Sequence, residues 1–208
     1  MRDFMLAQPE NIAQAAELLA AAPDTTALLA GGTDLLDEIK NETIQPEIVV
    51  DMSRIPGLDL ITKEPDHIRI GALTTVAALG ENTEVRDTLT NLHMAAASLA
   101  SPQLRSVGTV GGNLCQRPRC WYYRDPQVVC RKKGGSRCFA FRGRSRYHAI
   151  FGGGACYIVF PSDLAPALIS LGAEVTIASA EARRTIPLED LYALPSVDVR
   201  RETTLTPG

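Results

Sequence analysis

Nowhere in this 208-residue chain do about eighteen apolar residues run together, which argues against a membrane-spanning helix and predicts no membrane association. The opening Met1-Arg2-Asp3-Phe4 lacks the charged-then-apolar order of a secretory leader, so a cytoplasmic location is expected. Neither G-x-G-x-x-G nor G-x-x-x-x-G-K-[ST] occurs, and a Rossmann or P-loop nucleotide site therefore has no direct support. There is no C-x2-C, so neither a zinc ribbon nor the bacterial ferredoxin run is matched. The first 114 residues hold no cysteine at all. Acidic residues are scarce in one place: between Arg117 and Tyr147, eight arginines and two lysines face the single acid Asp125, a balance of +9 that leaves −12 for the rest of a chain whose net charge is −3.

What is present begins with two glycine pairs about eighty residues apart, Leu29-Ala30-Gly31-Gly32-Thr33-Asp34 and Thr109-Val110-Gly111-Gly112-Asn113. A Gly-Gly pair after an apolar run lets the backbone approach a ligand and turn successive N–H groups toward a phosphate oxygen. Two such turns could grip both phosphates of a dinucleotide. Each alone is also what an ordinary tight turn looks like.

Hydrophobic content of 45% suits one substantial core or two small lobes. Apolar residues at helical spacing predict a helix over 10–22; the runs 26–30 and 47–52 read as strands of a small α/β lobe with parallel pairing. After Pro56-Gly57 a second lobe begins. Residues 67–70 alternate as a strand, Thr74 or Thr75 caps a following helix, 93–100 is helical, and Pro102 interrupts. Residues 157–160 read as a strand, Ser162 or Asp163 caps a helix over 164–171, and 173–178 reads as a strand. Residues 1–56 are thus expected to form a first lobe and 57–190 a second, interrupted by the irregular stretch 116–156. A loop that long needs an organiser other than a hydrophobic core.

All five cysteines lie within 42 residues, from Cys115 to Cys156. Such clustering points to metal ligation over scattered core thiols, and the missing leader ranks a disulfide framework low. The intervals Cys120-x9-Cys130-x7-Cys138-x17-Cys156 leave zinc and iron–sulfur both open. These four are the expected ligands; Cys115, two residues past Asn113, is expected to pack near the second glycine turn. The basic loop would stabilise an anionic centre and raise its potential. A four-cysteine zinc module binding nucleic acid through the arginines is the alternative. His67, His93 and His148 have no motif partner and are expected to be structural or exposed.

The motifs taken together resemble the FAD-binding medium subunit of the molybdenum hydroxylases, the group of xanthine and aldehyde dehydrogenases, CO dehydrogenase and 4-hydroxybenzoyl-CoA reductase. They are Leu28-Leu29-Ala30-Gly31-Gly32-Thr33-Asp34-Leu35, Ile70-Gly71-Ala72-Leu73-Thr74-Thr75, Thr109-Val110-Gly111-Gly112-Asn113-Leu114 and Pro161-Ser162-Asp163, in the family's order. The resemblance implies an α+β, two-lobed FAD-binding fold of the para-cresol methylhydroxylase type, a small α/β lobe beside a larger mixed-sheet lobe. The inserted loop resembles the subgroup with an additional 4Fe-4S cluster, and this resemblance, not the spacing, favours iron–sulfur over zinc. It implies that the backbone of Leu29, Ala30, Gly31, Gly32, Thr33 and Asp34 holds the FAD pyrophosphate together with Thr109, Gly111, Gly112 and Asn113. It further implies that Ser162 and Asp163 meet the adenosine ribose, that Leu205 packs near the flavin ring, and that residues 191–208 lead toward a C-terminal domain that the family carries and this chain lacks.

The expected function is electron transfer by FAD and the cluster within a multi-subunit oxidoreductase, without a catalytic acid or base on this chain. The expected partners are a large subunit with the molybdenum cofactor, a small 2Fe-2S subunit and an external electron acceptor or donor. No nucleic acid partner is expected on this reading.

Overall fold

The computed structural model of the protein describes residues 2–206; Met1 lies outside it, as do Pro207 and Gly208 of the expected linker. The first lobe runs β1 (Met5–Ala7), α1 (Ile12–Ala21), β2 (Thr26–Leu29), α2 (Leu35–Lys40) and β3 (Ile48–Asp51). Asn11 caps α1 by accepting the Gln14 N–H at 3.0 Å, so the helix starts two residues later than the apolar spacing alone suggests. The strands form one parallel sheet in the order β1-β3-β2. As the central strand, β3 is covered on both faces, and Val49 and Val50 are wholly buried. The short edge strand β1 carries too little pattern to be read from sequence. A compact core of Ala15, Val50 and Ile55, with Ile12, Leu18 and Ile48 around it, belongs to this lobe alone.

The second lobe opens with the antiparallel pair β4 (Ile61–Lys63) and β5 (Ile68–Ile70). Then come α3 (Val76–Glu81), α4 (Thr83–Thr88), α5 (Thr90–Ser98), α6 (Pro102–Arg105), α7 (Val110–Leu114) and α8 (Trp121–Arg124). Thr75 caps α3 through the Ala78 N–H at 3.1 Å. Pro102 does not interrupt a helix but starts α6, where its missing N–H has no intrahelical acceptor to lose. The lobe closes with α9 (Leu164–Ser170) and the antiparallel pair β6 (Glu174–Ala178) and β7 (Arg183–Pro187). Where a mixed sheet is expected, the described residues of this lobe form these two separate hairpins, with helices between them.

Residues 157–160 make no strand ladder. Tyr157 instead accepts the Ala149 N–H at 2.9 Å and stacks on Phe141, while Phe160 packs against Tyr192. An apolar run is a strand only if a neighbour strand reaches it, and this one faces the cysteine loop. The segment 191–206 folds back on the second lobe: Tyr192 bridges to Thr203, and the Ala193 N–H donates to the Glu202 carbonyl at 2.9 Å. Among the described residues, no helix is long and apolar enough to cross a membrane.

The second lobe's core gathers Val76, Leu79, Leu92, Leu114, Leu164, Leu188 and Leu191 from five elements. Each fully buried leucine contributes roughly 1.5–3 kcal/mol by leaving water. Leu92→Ala, at a position with no exposed surface, is expected to lower the unfolding free energy by about 2–5 kcal/mol, read as a shifted urea midpoint followed by circular dichroism.

Candidate functional site

The first glycine turn links the end of β2 to the start of α2. Gly32 takes φ +74°, a left-handed conformation that a β-carbon disfavours. Gly31 lies against the other lobe: a β-carbon there would stand 2.0 Å from the Val107 carbonyl oxygen and 3.1 Å from Gly108 Cα. Gly108 in turn faces Thr33 Oγ1. The first glycine turn therefore meets residues 107 and 108, just ahead of the second glycine pair, at the junction of the lobes. Among the described residues, the N–H groups of Gly31, Gly32, Thr33 and Asp34 donate to no protein acceptor. Four successive free donors at one turn form a concavity suited to an anion.

The second turn is built differently. Thr109 caps α7 by accepting the Gly112 N–H at 3.1 Å, and the N–H groups of Val110, Gly111 and Asn113 donate to Thr74, Ala72 and Thr109 carbonyls. Its amides are consumed by the fold, so this segment supplies a wall and side chains where the first supplies open donors. Asn113 Oδ1 accepts the Ser162 hydroxyl at 2.7 Å and the Leu164 N–H at 3.4 Å, joining α7 to the start of α9. Ser162 Oγ accepts the Ala165 N–H at 3.0 Å and is the residue that caps α9. Asp163 makes no cap bond and is exposed, which leaves its carboxylate open to solvent. Leu205 packs against the larger core, and its carbonyl accepts from Arg201.

Asp34 carries more than its place in the turn. Its Oδ2 accepts the Arg117 N–H at 2.6 Å; its Oδ1 pairs with Arg124 Nη2 at 2.7 Å and with Arg119. Burial pushes its carboxyl up, and these hydrogen bonds outweigh that and hold it below the usual range. Arg124 also reaches Asp37 at 3.3 Å, while Tyr123 donates its hydroxyl to buried Glu38 at 2.9 Å. Burial pushes Glu38 up, only partly offset by the charge of Arg124. At the loop's far side, Glu202 pairs with Arg117 Nε at 3.0 Å and with the buried Lys132. Arg137, Arg142 and Arg146 lie over Phe139, Phe141 and Tyr147. Arg117, Arg119, Arg124 and Lys132 thus answer carboxylates of the protein itself, and nothing in the loop's contacts supports the nucleic-acid alternative.

Cys120, Cys130, Cys138 and Cys156 line one small cavity, together with Lys132 and Phe139. Burial raises the Cys120 and Cys156 thiols, opposed by backbone N–H groups of Tyr122 and Tyr123 at Cys120 and of Ile158 at Cys156. No three His, Cys, Asp or Glu among the described residues converge on a single ion position. Cys115 stands apart from the four: it ends α7 beside the second glycine turn, with its N–H donating to Gly111 at 3.0 Å, and although the residue keeps exposed surface, burial pushes its thiol up to about 11. One residue that the sequence does not single out joins the group. His148 Nε2 lies 3.1 Å from Cys120 Sγ, and burial lowers the imidazole's pKa. No spacing rule links two residues 28 positions apart, and none links the acids Asp34, Asp37 and Glu38 to the loop that answers them.

Residues 2–206 match the family described as "FAD binding domain in molybdopterin dehydrogenase". The aldehyde oxidoreductase FAD-binding subunit PaoB of Escherichia coli (strain K12) is 40% identical over 184 residues, covering 86% of this chain and 58% of PaoB. The nicotinate dehydrogenase FAD-subunit of Eubacterium barkeri is 37% identical over 115 residues, 55% of this chain and 39% of that subunit. Among solved structures, a carbon monoxide dehydrogenase from Hydrogenophaga pseudoflava superposes with a TM-score of 0.66 at 26% identity, over 91% of this chain and 52% of that one. The chain spans about half the length of the relatives it matches.

Asp34 ties the first glycine turn to the cysteine loop, and its lowered pKa makes that tie pH-dependent. Its stabilisation is complete above the ordinary carboxylate value and is lost as pH falls through the lowered folded value. Asp34→Asn is expected to cost roughly 1.5–3 kcal/mol at neutral pH, and the gap in urea midpoint between wild type and variant should close below about pH 4.

Proposed function

The chain belongs to the family of FAD-binding domains of molybdopterin dehydrogenases, and on that footing we propose that it is the FAD-binding, electron-transfer subunit of a molybdenum-containing oxidoreductase. The observation that carries this reading is the turn of four open N–H donors from Gly31 to Asp34, seated against Val107 and Gly108. These donors fit a pyrophosphate, whose charge they would meet without any lysine or arginine. Leu29 and Ala30 lead the chain into the turn. Thr109, Gly111, Gly112 and Asn113 would complete the site from the second turn, and Ser162 is held by Asn113. The exposed Asp163 carboxylate is free to accept from ribose hydroxyls. Leu205 would lie on the flavin side of the larger core.

The four cysteines are proposed to hold a 4Fe-4S cluster. The four thiols line one small cavity, a donor set that an iron–sulfur cluster takes, and the loop's resemblance to the subgroup with the additional cluster is what favours it over zinc. Buried Lys132 and the N–H groups aimed at Cys120 and Cys156 would stabilise the negative charge of thiolates. When bound, FAD exchanges one or two electrons and the cluster one at a time, so together they couple two-electron to one-electron chemistry. The chain's own residues bind, orient and insulate these groups; none is assigned acid–base work. The proposed partners are a large subunit holding the molybdenum cofactor, a small 2Fe-2S subunit and an external electron acceptor or donor.

Anaerobically purified protein is expected to show flavin bands over broad iron–sulfur absorption, with iron and acid-labile sulfide in equal amounts. Cys138→Ser should lose the iron and keep the flavin. A chain that releases zinc and no iron sinks the cluster; one without flavin sinks the FAD assignment. Because Ser162 and not Asp163 caps α9, Asp163→Ala should weaken FAD retention while leaving the thermal midpoint of the FAD-free chain in place. A fall in stability of about 1 kcal/mol, the usual loss for a cap, with flavin retention unchanged would contradict that role.

A further inference from the structure

His148 is fixed inside the cysteine loop. Its ring meets Trp121 edge-on with centroids 5.2 Å apart, lies 6.1 Å from the Tyr122 ring, and its backbone N–H donates to the Ser145 carbonyl at 3.0 Å. Nε2 is aimed at Cys120 Sγ from 3.1 Å. Nδ1 is buried and has no hydrogen-bond partner among the described residues. Burial lowers the ring's pKa, the Ser145 backbone also acts on the ring in the raising direction, and the sulfur is the ring's side-chain partner.

Proton counting decides the direction of that contact. A free thiol could donate its S–H to a bare Nε2, but a thiolate bound to iron has no proton, and the contact then requires an N–H on Nε2.

Resting on the reading that Cys120, Cys130, Cys138 and Cys156 hold a 4Fe-4S cluster, we infer that His148 donates an Nε2–H hydrogen bond to the Cys120 thiolate and thereby sets the reduction potential of that cluster. A donor at a ligand sulfur stabilises the added negative charge of the reduced state and raises the potential. The twenty-eight-residue separation makes this a product of the loop's folding around the cavity. His148 acts through Cys120, so it is a positioning residue.

The full chain is purified without air as wild type, H148F and H148Q; iron and sulfide are assayed and the cluster midpoint is read by EPR-monitored redox titration, with the flavin midpoint as internal control. H148F, which keeps the packing against Trp121 and loses the donor, is expected to retain iron and show a lower cluster potential. The expected size is up to about tenfold in the one-electron reduction equilibrium, which is about 59 mV. H148Q, with a side-chain N–H, should recover most of it, and the flavin midpoint should not move. An unchanged cluster potential in H148F, or an equal fall in H148Q, overturns the inference. Should H148F shed iron, retention by H148Q supports the need for a donor, and loss from both overturns it. Wild-type protein without iron sinks the cluster reading itself, and this inference with it.

Discussion

Asp34 stands where three parts of the protein meet. Its backbone belongs to the first glycine turn, its position opens α2, and its carboxylate is held by the backbone of Arg117 and the guanidinium groups of Arg119 and Arg124. The carboxylate is largely withdrawn from water, so it must be answered fully or it would be a liability. Three donors answer it, and in doing so they pin the entrance of the cysteine loop to the first lobe. The turn's N–H groups stay open because the side chain is satisfied from the loop side and does not fold back over its own backbone.

The same economy runs through the rest of the junction. Each lobe has its own apolar core, one around Val50 and one around Leu79, Leu92 and Leu164. What joins them at the site is the close approach of Gly31 to Val107 and Gly108, together with the ionic contacts of the loop. A side chain at Gly31 would push the two segments apart. The loop itself has little apolar surface to bury. Glu202 and Lys132 at one side, the α2 acids at the other and aromatic rings beneath the arginines hold it in shape, leaving the four thiols around a shared cavity.

Much of this was legible in the residues. Periodicity located α1, β2, β3, β5, α9 and β6, because each is a local pattern of apolar side chains with caps or turns at its ends. The parallel sheet of the first lobe followed from the alternation of helix and strand. The run 157–160 was misread because its apolar residues pack on Phe141 and Tyr192, and alternation alone does not tell strand pairing from side-chain packing. Ser162 and Asp163 were equal candidates for the cap of α9; the hydroxyl bonded to Asn113 has the right geometry, and the carboxylate is left over. The basic loop was legible as an excess of charge, but its partners were not. Asp34, Asp37 and Glu38 lie some eighty residues away, and charge counting carries no distance.

By itself the chain's sequence determined the longer periodic helices and several strands, that four cysteines belong to one irregular loop, and the family its motifs resemble. These are properties of local pattern and composition, set by backbone preference and the burial of apolar surface. Only the tertiary structure decided which glycine turn keeps its N–H groups open, that Asp34 binds arginines of the loop, that the thiols ring a cavity with no shared ion position, and that His148 reaches Cys120. Each of those depends on contacts between residues far apart in the chain, where hydrogen-bond partners are fixed by which groups folding leaves unsatisfied and close together.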